Sequence, residues 1–133
     1  MPELLLPYTG VVAALGATGA LILLQMLVAD FAGIRARHVP GTPVPSDHGL
    51  FLFRAVRAHA NTNESVAAFV LLALYGIFSA ANAQWLNVLA WTYVGARIAH
   101  MLSYYADLRL LRSIVFGIGL LALLAMAVVG LLA

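Results

Sequence analysis

Two short runs hold most of the side chains that could do chemistry. RAVRAHANTNES, Arg54 to Ser65, brings two arginines, a histidine, two asparagines and a glutamate to the start of an apolar stretch. No Asp, Glu, Lys or Arg follows Glu64 until Arg97. ARIAHMLSYYADLRLLRS, Ala96 to Ser113, holds three more arginines, a histidine and two tyrosines. At about 100° per residue these resolve into helical stripes. Arg57, Asn61 and Glu64 share one face. Tyr93, Arg97, His100 and Tyr104 share a second. Arg109, Arg112 and Phe116 share a third, with Ser113 beside it. Arginine grips carboxylates through a two-pronged fork. Glutamate holds an ammonium, and asparagine both donates and accepts. A site built from these suits a small zwitterionic or anionic ligand, and a peptide-like molecule with two carboxylates and one amine would use them all. A thiol on such a ligand, with a free pKa of about 8.5, would ionise more readily beside an arginine. Apolar electrophiles could reach it from a lipid phase.

The elements that must position these residues are set by composition. The chain has 133 residues, of which 64% are hydrophobic and 9% charged. Soluble domains carry about 25% charge, so a single membrane domain over residues 1–133 is expected. Every fixed cation is an arginine, and no basic run suggests nucleic acid. Cysteine is absent, which excludes disulfides, thiolate metal sites and a cysteine nucleophile. Any thiol must come from outside. His38, His48, His59 and His100 show no ligand spacing, so no metal site is expected. Pro2 and Glu3 stand where a signal peptide would carry basic residues, and the apolar stretch is too long for one.

A spanning helix needs about 20 mostly apolar residues. Four spans are expected, at about residues 4–33, 50–81, 85–105 and 108–133. SAANAQ, Ser79 to Gln84, breaks the uncharged stretch between the second and third, and HVPGTPVPSDHG separates the first two. These runs lack the period-two alternation of barrel strands. All seven arginines fall to one side of the layout and the opposite turn has none. The positive-inside rule then puts both termini outside and the arginine-bearing connections in the cytoplasm.

An ionised side chain at mid-span costs roughly 2.5 to 3.5 kcal/mol on insertion scales and faces a bundle interior or wet cavity. Glu64 and Arg97 lie at similar expected depth, so the two should pair. Blander roles compete. The pair could serve only to hold helices two and three in register. Arg35, Arg37 and Arg109 could simply set topology. Tyr104 and Tyr105 could be interfacial belt residues.

RAHANTNE, Arg57 to Glu64, resembles the R-A-H-x-N-x-x-E signature of the MAPEG family, the membrane-associated proteins in eicosanoid and glutathione metabolism. Ala96 to Ser113 resembles that family's R-x-x-H-x-x-x-Y segment with a following arginine, and GIRARHVPGTPVP resembles its basic first loop. The resemblance covers essentially the whole chain. It implies a four-helix bundle, assembled as a homotrimer, with glutathione bound between protomers on the cytoplasmic side. By the same resemblance Arg57, Asn61 and Glu64 contact glutathione, and His100 and Tyr104 line its site. Arg112 would stabilise the thiolate, with Ser113 beside it, and Arg35 would reach in from the adjacent subunit. Arg97 matches an arginine that pairs with the glutamate. The sequence departs from the pattern in three places. ESVAAF lacks the family's frequent proline after the glutamate. Phe116 stands where some enzymes have tyrosine. The interval from Tyr104 to Arg112 is one residue shorter than in some members, which makes Arg109 a second candidate for the thiol. The short first connection looks bacterial, which implies an inner-membrane protein.

The function so implied is a membrane-bound glutathione transferase, or also a peroxidase acting on lipid hydroperoxides, with catalytic Arg112, Tyr104 and Ser113. The alternative is a non-enzymatic lipid-binding or regulatory relative. A small multidrug transporter fits poorly, because its buried glutamate sits in the first span, whereas Leu4 to Ala29 here is uncharged.

Overall fold

The computed structural model describes residues 2–133, all of them helix or short connection. A 3-10 turn over Glu3–Tyr8 leads into α1, Thr9–Arg35. The others are α2, Phe51–Phe78; α3, Ala83–Tyr105; and α4, Arg109–Leu131. By length and composition the segments Glu3–Arg35, Phe51–Phe78 and Arg109–Leu131 are apolar enough to cross a membrane. α3 stands below that hydropathy because it carries the polar stripe. Its 23 residues are about 34 Å long, enough for a bilayer core. What lowers its hydropathy is Arg97, His100, Ser103 and Tyr104, and all four are buried against neighbouring helices. α3 packs against each of the other three helices, so its polar side chains have protein around them.

Each connection begins with the same device. Arg37, Ala80 and Asp107 adopt left-handed backbone conformations, with φ of 53°, 55° and 54°. In each case the next N–H reaches back five residues: His38 to the Gly33 carbonyl, Ala81 to Gly76 and Leu108 to Ser103, at 3.0, 2.9 and 2.8 Å. The residue before it reaches back three. This double closure usually places glycine at the left-handed position; here none of the three is glycine. The SAANAQ break is sharpened at its far side by Asn82, whose side chain caps α3 by accepting from Trp85 N–H at 3.1 Å.

Pro7 explains why the α-helix starts only at Thr9. Proline has no N–H and disturbs the ladder around it. One turn further on, Asn87 of α3 enters the ladder: Val11 N–H donates to its Oδ1 and its Nδ2 donates to the Pro7 carbonyl, both at 2.9 Å. The side-chain amide takes the place of the Val11-to-Pro7 bond. Only glycine at position 10 allows it so close, since a Cβ there would lie 2.7 Å from Asn87 Oδ1. Tyr8 adds a 2.7 Å bond to the Ala81 carbonyl.

The main core gathers Val11, Ala14, Phe69, Ile77, Leu86, Tyr93, Leu123 and Met126. Phe69 and Tyr93 stack at 4.3 Å, tilted by 14°. A smaller cluster of Leu21, Ala58, Met101 and Tyr104 sits nearer the end where α1 finishes and α2 begins. Leu27, Phe31, Leu71, Phe78, Leu121 and Leu124 are exposed, so the outer surface is apolar and the polar stripes look inward or to one end.

Candidate functional site

Asn61 of α2, His100 and Tyr104 of α3, and Arg112, Ser113 and Phe116 of α4 line one cavity of about 230 Å³. The three-residue turn between Tyr105 and Arg109 brings the start of α4 back beside the end of α3. One turn in, the Arg112 guanidinium lies over the Tyr104 ring, 4.4 Å from its centroid. His100, one turn before Tyr104, meets that ring edge-on at 5.1 Å. Phe116 closes the apolar side, 6.2 Å from His100. Ser113 Oγ donates to the Arg109 carbonyl at 3.3 Å, which ties it to its own helix.

Two buried groups of this cavity have no partner: Arg112 Nη1 and His100 Nδ1. A buried donor left unmade costs about 1–3 kcal/mol, more when charged. Among the described residues no carboxylate lies within 4.0 Å of Arg112 or Arg97, so the cavity is electropositive. Such a site suits an anionic, hydrogen-bonding guest.

Beneath the cavity Arg97 is 2% exposed. Its Nη1 donates to Asn61 Oδ1 at 2.8 Å, and Asn61 Nδ2 donates to Glu64 Oε2 at 3.4 Å. The expected Glu64–Arg97 pair is thus corrected: Arg97 meets Asn61, and Glu64 is exposed one turn further along. Burial favours this choice, since Asn61 faces α3 more directly and its amide serves both charges at once. Arg97 also needs Gly119 of α4, where a Cβ would stand 2.7 Å from Nη2. A smaller chamber of about 40 Å³ lies here, lined by Ser65, Tyr93, Arg97, Phe116 and Gly119 among others. Ser65 and Tyr93 hydroxyls bond at 2.7 Å.

Other sequence candidates lie away from the cavity in the single chain. Arg57 is half-buried on α2 and does not line it. Arg35 is exposed and borders a separate hollow of about 240 Å³ with Ala32, Leu50 and Phe51. Arg109 is exposed and points its Nε at Asp107, 4.0 Å away. Two residues that the stripes did not single out stand by the Tyr104 end of α3. His48 lies parallel to Tyr104 at 6.5 Å, and its Nδ1 is 3.8 Å from Asp107 Oδ1. Both sit in connections, where helical periodicity has nothing to say.

No curated protein and no solved structure matches the chain significantly. A family model does match, over residues 11–132, which takes in all but the first two residues of α1, the other three helices and every residue of the cavity. The chain belongs to the MAPEG family.

Proposed function

We propose that this protein is a membrane-bound glutathione transferase whose thiolate-stabilising residue is Arg112. The observation that carries the reading is the Arg112 guanidinium, laid on Tyr104 with its buried Nη1 unpartnered inside a cavity with Asn61, His100 and Ser113. MAPEG proteins are membrane-embedded, generally trimeric users of glutathione, and include transferases, peroxidases and members that are not enzymes. In the proposed assembly, a homotrimer, Arg57, Asn61, Glu64, His100 and Tyr104 hold the peptide. Arg35 of a neighbouring protomer closes the site, and Arg109 stands at its rim. Four spans, with both termini outside, put the cavity at the cytoplasmic face of what we read as a bacterial inner membrane.

Arg112 and Tyr104 act before and during the reaction. The guanidinium, fixed on the aromatic ring, favours the ionised sulfur and so lowers the thiol pKa. Once turned away from the Arg109 carbonyl, the Ser113 hydroxyl would donate to the same sulfur. Attack forms the S–C bond and expels the leaving group with its electron pair. Hydroperoxides would consume two thiols, giving an alcohol, water and the glutathione disulfide. The apolar reactant enters from the bilayer past Phe116.

Purified protein with glutathione should develop thiolate ultraviolet absorbance at neutral pH, and Arg112→Ala should lose it. Equal absorbance in the variant would remove Arg112 from this role. The second reading, a lipid-binding regulatory protein, predicts no glutathione binding by calorimetry; the unpartnered Arg112 in a polar cavity favours the enzyme.

A further inference from the structure

We propose that His48 is a positioning residue for Arg112, acting through the Tyr104 ring. His48 belongs to the connection between α1 and α2 and lies on none of the helical stripes. Its backbone is held on both sides. Asp47 forms a tight turn, its Oδ1 accepting from Gly49 N–H at 2.8 Å and its carbonyl accepting from Leu50 N–H at 3.1 Å. Arg54, in the first turn of α2, donates through Nη1 to the His48 carbonyl.

This anchoring delivers the imidazole to the end of α3. It meets Phe53 edge-on at 5.0 Å and lies within 12° of parallel to the Tyr104 ring. Its Nδ1 faces Asp107, the residue whose left-handed conformation ends α3. Arg109 approaches the same carboxylate from α4, so the charged groups around His48 are Asp107, Arg109 and Arg54. The first connection and the α3–α4 turn are thereby joined at one point. Tyr104 is boxed by His48, His100 and Arg112, at 6.5 and 5.1 Å between rings and 4.4 Å to the guanidinium. Aromatic pairs interact out to about 7 Å between centroids. These neighbours narrow the positions open to the ring, and the guanidinium stacked on it is narrowed with it. Without His48 the ring gains room toward the connection, and Arg112 loses its platform.

The positioning is a property of the free protein; its catalytic consequence rests on the proposed thiol site. The first test therefore uses no ligand. Full-length protein in detergent is treated with phenylglyoxal, and the modification rate of Arg112 is mapped by mass spectrometry, with exposed Arg35 as reference. H48A should speed modification of Arg112 about three- to tenfold, the factor that loss of one aromatic contact allows. H48F keeps a ring and should stay within about twofold of wild type. Equal rates in wild type and H48A, or an H48F as fast as H48A, would overturn the proposal. Turnover is read separately: H48A should lower kcat for glutathione conjugation with little change in KM for glutathione, and H48F should restore it. Faster labelling with unchanged kcat overturns the catalytic consequence. A wild-type protein that does not bind glutathione removes the functional reading, while the labelling comparison still decides the positioning.

Discussion

Arg97 on α3 donates a 2.8 Å hydrogen bond to Asn61 on α2, and the same amide turns its nitrogen toward Glu64 at 3.4 Å. One neutral side chain thus stands between a buried cation and an exposed anion. Asn61 is also a wall of the cavity, so Arg97 and Glu64 together fix how its amide is turned toward a guest.

Asn61→Leu should orphan Arg97. A buried charge stripped of its hydrogen-bond partner costs about 2–4 kcal/mol. The variant should unfold in detergent at a markedly lower temperature, whereas Asn61→Asp, which returns an acceptor and adds a counter-charge, should recover most of the loss. An unchanged unfolding midpoint for Asn61→Leu would mean that Arg97 is satisfied elsewhere.

Asn87 makes a different kind of prediction. Its amide bridges the Pro7 carbonyl and the Val11 N–H, and Asn87→Leu leaves both unmade. The expected cost is about 1–3 kcal/mol. Hydrogen exchange at Val11 should accelerate while the proposed glutathione binding stays as in wild type. The separation is physical: Asn87 and His100 are thirteen positions apart on α3, roughly 20 Å along its axis.

Ala80 should be improvable. It ends α2 with φ of 55°, a conformation that costs a residue with a Cβ about 1 kcal/mol and glycine almost nothing. Ala80→Gly should raise the unfolding midpoint without touching activity. A drop would show that the Cβ contributes packing that outweighs the strain.

Much of the fold is legible in the sequence. Four long helices follow from the uncharged runs and their Pro- and Asn-containing breaks, because unpaired backbone amides are costly away from water. Asn61, His100, Tyr104, Arg112 and Ser113 were marked by spacing and by resemblance, and five of the six cavity walls are these residues. Less legible was the partner of Arg97. Asn61 and Glu64 share a stripe and differ by three residues, about 4.5 Å along the helix axis. Periodicity gives the direction of a side chain around its own helix, but not the sliding of one helix against another. That sliding is decided where Gly76 admits Leu86 and Gly119 admits Arg97, since a Cβ at either would lie 2.7 Å from its neighbour.

The sequence by itself determined the class of molecule, the helices, and the three polar faces, because each is a local property of composition and period. Only tertiary structure decided which atoms of those faces meet. It put Asn61 rather than Glu64 on Arg97, laid Arg112 on Tyr104, and brought His48 from a connection without periodicity to the same ring. The reason is that helix register and loop path are set by close packing among distant residues, and no single segment carries that information.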